Sequence, residues 1–165
     1  MLKVPFLRLF VVFVAAHLAA YLVAGMIVQP LYEPLFRGDS PLLACYLRTT
    51  ADPALYKQAM AWAFPAQIAR ALLLALVLLP ILDRLLAMRF VTRSVFLFGL
   101  FFVYMSFACS APGANIEGLV YLKPAIVGKG FVPGLLESVL HALIASLIAA
   151  RFLVARDRAV LDSAQ

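Results

Sequence analysis

Two histidines, His17 and His141, are the only ones in the 165-residue chain, and each interrupts a long apolar run. An imidazole in apolar surroundings can relay protons, hold a metal or simply satisfy a neighbouring hydrogen-bond group. His17 lies about 11 residues from the start of the first run, and His141 about nine from the start of the fourth. That counting puts both near the same depth. Two imidazoles at one depth on separate helices could serve as the axial ligands of a single b-type haem, although two unrelated helices need not turn these side chains toward each other.

Arg70 is the most informative single residue. It sits inside the second apolar run, about 12 Å in at 1.5 Å per residue if that run begins near Trp62. Glu137 lies at a similar depth in the fourth run. An unpaired charge there is costly, so an Arg70–Glu137 pair is expected. Glu137 and His141 stand four residues apart and share one helix face, a spacing that lets a carboxylate orient an imidazole. With Gln67 and with Glu117 from the loop above, these residues form a candidate polar cluster in the outer half: Arg70, Glu117, Glu137, His141 and Gln67. It reads either as an outward-opening site for an anionic group or lipid headgroup, or as a set of bonds that only fixes helix register.

Cys45 and Cys109 both fall toward the outer side, where one disulfide could form or two thiols could stay free. Neither belongs to a Cys-x-x-Cys, the redox-active pattern. No Gly-rich phosphate loop, His-Glu-x-x-His or Gly-x-Ser-x-Gly occurs. A metal centre other than the haem alternative has no further His or acidic cluster to draw on, so neither a catalytic residue nor a resident cofactor is expected, and the chain reads as non-enzymatic.

The elements that must position these residues follow from composition. The chain is 65% hydrophobic and 13% charged, with a mean hydropathy of +1.02. A soluble domain is about 45–50% apolar and about 25% charged, so one small water-soluble core could not hide this much apolar surface. A bilayer core of about 30 Å takes about 20 apolar residues in a helix. Four stretches answer to that, at about 6–28, 62–82, 92–110 and 132–153. The first is too long and too poorly followed by a cleavage site for a leader peptide, and is read as a retained helix.

The expected fold is therefore an all-α membrane protein, one domain over 1–165, built as a bundle of four transmembrane helices. Two outer loops, about 29–61 and 111–131, carry most of the Pro and Gly breakers. Asp52-Pro53 opens a helix by side-chain capping and a proline at the first position, and predicts a short interfacial helix before the second span. Pro80 predicts a bend near that span's inner end. Small residues recur every four positions at Ala16, Ala20 and Ala24, at Ala71 and Ala75, and at Ser138, Ala142, Ser146 and Ala150, which marks faces where helices approach closely.

The net charge of +6 reflects cations at the ends of apolar runs rather than a nucleic-acid surface. Lys3, Arg8, Arg84, Arg89, Arg93, Arg151, Arg156 and Arg158 lie on the side of the termini, against Arg37, Arg48, Lys57, Lys123 and Lys129 on the other. Both termini are accordingly expected in the cytoplasm, in a membrane of bacterial inner-membrane type. The leading functional expectation is an accessory, scaffold or lipid-contacting subunit whose partners are the bilayer and protein subunits or further copies of itself. The alternatives are the single-haem electron carrier and an oligomeric small permease or channel component.

Overall fold

The computed structural model describes residues 6–37, 41, 43–44, 47–106 and 121–153. Among them helix is the only regular structure, at 88%. The elements are α1 (Phe6–Phe36), α2 (Pro53–Leu78), a 3-10 turn (Leu79–Ile81), α3 (Leu82–Ala87), α4 (Phe90–Ser106) and α5 (Pro124–Phe152). Three stretches are long and apolar enough to cross a membrane: Leu7–Leu31, Pro53–Ala87 and Pro124–Phe152. α4 is apolar but has only 17 residues, about 25 Å at 1.5 Å per residue.

α5 is the central helix. It packs along both α1 and α4, while α2 lies against α1. α1 and α5 run antiparallel: near the start of α1 the Arg8 guanidinium donates to the Phe152 carbonyl at the end of α5, at 2.9 Å. A cation there satisfies a terminal carbonyl that has no intrahelical donor and complements the negative end of the helix dipole. α2 and α4 lack an extended backbone interface, but side chains from both enter one core with Leu74, Ala75, Leu78, Leu97 and Phe101. The four long helices thus form a ring in the order α2, α1, α5, α4.

The helix contacts combine many small residues with large ones such as Leu9, Phe13, Leu97 and Phe101. Ala16, Ala20, Ala24, Ala71, Ala75, Ala142, Ala145, Ala149 and Ala150 are buried, as are Ser138 and Ser146. Large apolar side chains such as Val11, Leu73, Val77, Val95 and Val132 point outward. Small residues let backbones approach, so dispersion and hydrogen bonds do the work that hydrophobic burial cannot do in lipid. All three small-residue stripes in the sequence lie on these contact faces.

Helix boundaries differ from the sequence expectation, most of all where a helix continues through prolines. α1 runs past Pro30 and Pro34 to Phe36, where the first outer loop was expected to begin at 29. Its outer end is held by a second small core of Leu35, Leu43 and Ile126, and the Leu43 N–H donates to the Leu35 carbonyl at 3.1 Å. The expected interfacial helix and second span are one element: α2 starts at the predicted Asp52 cap, whose carboxylate accepts from the Ala54 and Leu55 N–H groups at 3.1 and 3.0 Å, and continues through Pro65. α5 likewise starts at Pro124 rather than 132 and continues through Pro133. Proline removes one ladder bond, but packed membrane helices accommodate that loss. Pro80, where a bend was expected, falls in the 3-10 turn between α2 and α3.

Candidate functional site

Antiparallel pairing of α1 with both α2 and α5 brings His17, Gln67 and His141 to one level. The His17 Nε2–H donates to Gln67 Oε1 at 2.9 Å, and the His141 Nε2–H donates to His17 Nδ1 at 2.9 Å. The amide oxygen can only accept, which fixes His17 with its proton on Nε2 and frees Nδ1 to receive the second bond. His141 then carries a bare Nδ1, buried and with no partner among the described residues. Both imidazoles are 1% exposed. Their centroids lie 4.6 Å apart, edge to face, and Phe101, itself stacked on Phe13, lies beside His141.

These distances bear on the haem alternative. Axial ligation needs two ring nitrogens facing each other across an iron, with a macrocycle between the helices. Here the rings bond directly to one another, and His17 spends its second nitrogen on Gln67. The arrangement does not fit haem b. Among the described residues no group of three or more His, Cys, Asp or Glu could hold a metal ion.

Arg70 belongs to the same layer. Its Nε donates to Tyr104 Oη on α4 at 3.0 Å, and its guanidinium carbon lies 4.7 Å from the centre of that ring. Tyr104 was not singled out in the sequence, where Glu137 was the expected partner. Tyr21 on α1 lies within electrostatic range of both Arg70 and Glu137 and packs edge-on against Phe64 of α2. The expectation that Glu137 orients His141 gives way to His17 as the partner of that imidazole. Of the five predicted cluster residues, Gln67 and His141 are joined through His17, Arg70 is held by Tyr104, and Glu137 lines the groove above them. Glu117, Cys45 and Cys109 lie outside the described residues, and with them the disulfide expectation.

Above this layer a groove of ≈ 380 Å³ runs outward between α1, α2 and α5. Its floor on α1 is a four-residue repeat, Tyr21, Gly25, Gln29, Glu33 and Arg37, flanked by Leu22 and Met26; Tyr56 and Met60 of α2, Arg48 and Glu137 complete the lining. Tyr21 to Arg37 is about 24 Å of helix at 1.5 Å per residue. Tyr21 and Glu137 stand at the deep end. Leu22, Gly25, Met26 and Met60 form an apolar middle, open to the surroundings. At the rim, Arg37 lies 4.0 Å from Glu33, and Arg48 donates to the neutral Gln58 amide oxygen at 2.9 Å.

Fold and site together define a helical membrane bundle with a buried polar layer and a groove leading down to it. No family model, curated protein or solved structure matches the chain, so the functional reading rests on these residues alone.

The signals that would have joined the two histidines were present. His17 follows Ala16 and His141 precedes Ala142, each at the edge of a small-residue stripe, and Gln67 continues the Ala71, Ala75 stripe by one turn. Tyr104 stands three residues after the buried Phe101 on α4.

Proposed function

We propose that this protein is a non-enzymatic accessory subunit of a bacterial-type inner membrane, crossing it four times with both termini cytoplasmic, and that it contacts lipid through the outer groove. The observation that carries this reading is the polarity of the groove along α1: an apolar middle that ends in a charged rim, over a length matching one leaflet. A lipid lying there covers apolar side chains that would otherwise line a water-accessible cleft. The polar layer beneath holds the four helices in register.

Gly25 supports the reading. A glycine inside a helix costs about 1 kcal/mol relative to alanine, and a side chain at Gly25 would meet nothing within 4 Å. The position opens onto the groove, where a larger side chain would stand in the path of an occupant. The test is native mass spectrometry of the gently solubilised protein. Wild type is expected to retain lipid, and Gly25→Leu, which fills the groove while leaving the bundle intact, is expected to lose it. Equal lipid retention by the two proteins overturns the proposal; an adduct with the mass of haem does so too, in favour of electron transfer.

A further inference from the structure

The rim of the groove carries charges of both signs at a definable height, and that names a headgroup. With His17 near the bilayer midplane, Glu33 stands 16 residues further along α1, about 24 Å at 1.5 Å per residue, or about 23 Å for a helix tilted by about 20°. Half of a bilayer including its headgroups is about 20–22 Å. Glu33 and Arg37 therefore stand at and just above headgroup level, whereas Leu22, Gly25, Met26 and Met60 lie where acyl chains lie.

The two rim cations are held differently. Arg37 faces the Glu33 carboxylate at 4.0 Å, a loose pair in which both side chains are about half exposed or more. Arg48 is held through one Nη by the uncharged Gln58, so its partner positions the guanidinium without neutralising it. An arginine oriented by a neutral amide binds a phosphate oxygen well, because the remaining N–H donors keep both charge and fork geometry. Glu33, in an exposed pair worth little in itself, can exchange its arginine for a primary ammonium. Tyr56 adds a phenol to the groove wall below the rim.

We infer that the occupant is an outer-leaflet phospholipid bearing a phosphodiester and a primary amine, of the ethanolamine type. Its phosphate bonds to Arg48, its ammonium to Glu33, and one acyl chain runs down the trough over Gly25 between Met26 and Met60. This rests on the lipid-contacting function proposed above and adds the headgroup to it. Phosphate and ammonium are recognised by separate residues, so each can be removed alone.

The experiment presents delipidated protein, in mixed micelles, with equimolar ethanolamine, choline and glycerol phospholipids of identical chains, and reads bound lipid by native mass spectrometry. Wild type is expected to favour the ethanolamine lipid. Arg48→Gln is expected to weaken all three by about tenfold, the loss of one charge-assisted contact. Glu33→Gln is expected to abolish the preference for ethanolamine while the glycerol lipid binds as well or better. Both residues are exposed, and an unchanged thermal midpoint confirms that each variant is folded. Unaltered binding by Arg48→Gln overturns the phosphate assignment, and a preference that survives Glu33→Gln overturns the ammonium assignment. Retention of all three lipids without preference overturns the headgroup while sparing the groove. Retention of none removes the lipid-contacting function itself.

Discussion

Replacing His17 with leucine is expected to destabilise the bundle more than replacing His141, although the two side chains share one hydrogen bond and are equally buried. His17→Leu breaks two interhelical bonds, to Gln67 and to His141. Interhelical side-chain bonds in membranes average about 0.6 kcal/mol and reach about 1.7, so the pair is worth about 1–3 kcal/mol. It also strands the His141 N–H in a site without another acceptor, and a buried unsatisfied group costs about 1–3 kcal/mol. The expected total is about 2–6 kcal/mol. His141→Leu breaks one bond and strands His17 Nδ1, but it also removes the unpartnered His141 Nδ1, which offsets much of that loss. About 1 kcal/mol remains. The double replacement leaves neither ring to be stranded, so it is expected to be less damaging than the sum of the singles by about 1–2 kcal/mol. Reversible unfolding in mixed micelles, followed by helical circular dichroism, measures all four corners of the cycle. ¹⁵N chemical shifts of the two imidazoles, expected with both protons on Nε2, give an independent check. Additive effects, or His141→Leu as the worse single variant, would refute the hydrogen-bond order described above.

Two further outcomes test the bundle itself. Tyr104→Phe keeps the ring beneath Arg70 but deletes the acceptor of its Nε, and should cost about 1–2 kcal/mol in the same unfolding assay; Tyr104→Leu also removes the cation–π contact and should cost about 0.5–1 kcal/mol more. If Tyr104→Phe is neutral, the hydroxyl does not hold Arg70. In a background with Cys45 and Cys109 replaced by serine, a membrane-impermeant maleimide should label Ala51→Cys in intact cells and Arg89→Cys only after lysis, and the reverse pattern would invert the proposed orientation.

The sequence showed the depth of the polar residues better than their partners. Counting residues along apolar runs placed His17 and His141 at one level, because rise per residue is nearly constant. Which side chain meets which depends on rotation about each helix axis, and that is set by the alanine and serine stripes, whose pairing is a property of all four helices together. Arg70 shows the consequence: charge alone suggests an acidic partner, and the structure adds Tyr104, which charge does not name. Helix ends were misread where proline was taken as a stop. Pro30 and Pro34 lie within α1, where the burial of Leu35 against Leu43 and Ile126 outweighs the local preference. Asp52 was legible because a cap acts through its immediate neighbours.

The antiparallel partnership of α1 with α5 has a consequence for how the protein is made. His17 and His141 are 124 residues apart, and chains emerge from the ribosome at about 5–20 residues per second. α1 therefore leaves the ribosome about 6–25 s before its principal neighbour exists. During that interval its alanine face and a lone imidazole have only α2 and the surrounding insertion machinery to cover them. A chain stopped before α5 would therefore leave α1, α2 and α4 without the helix that packs along both α1 and α4.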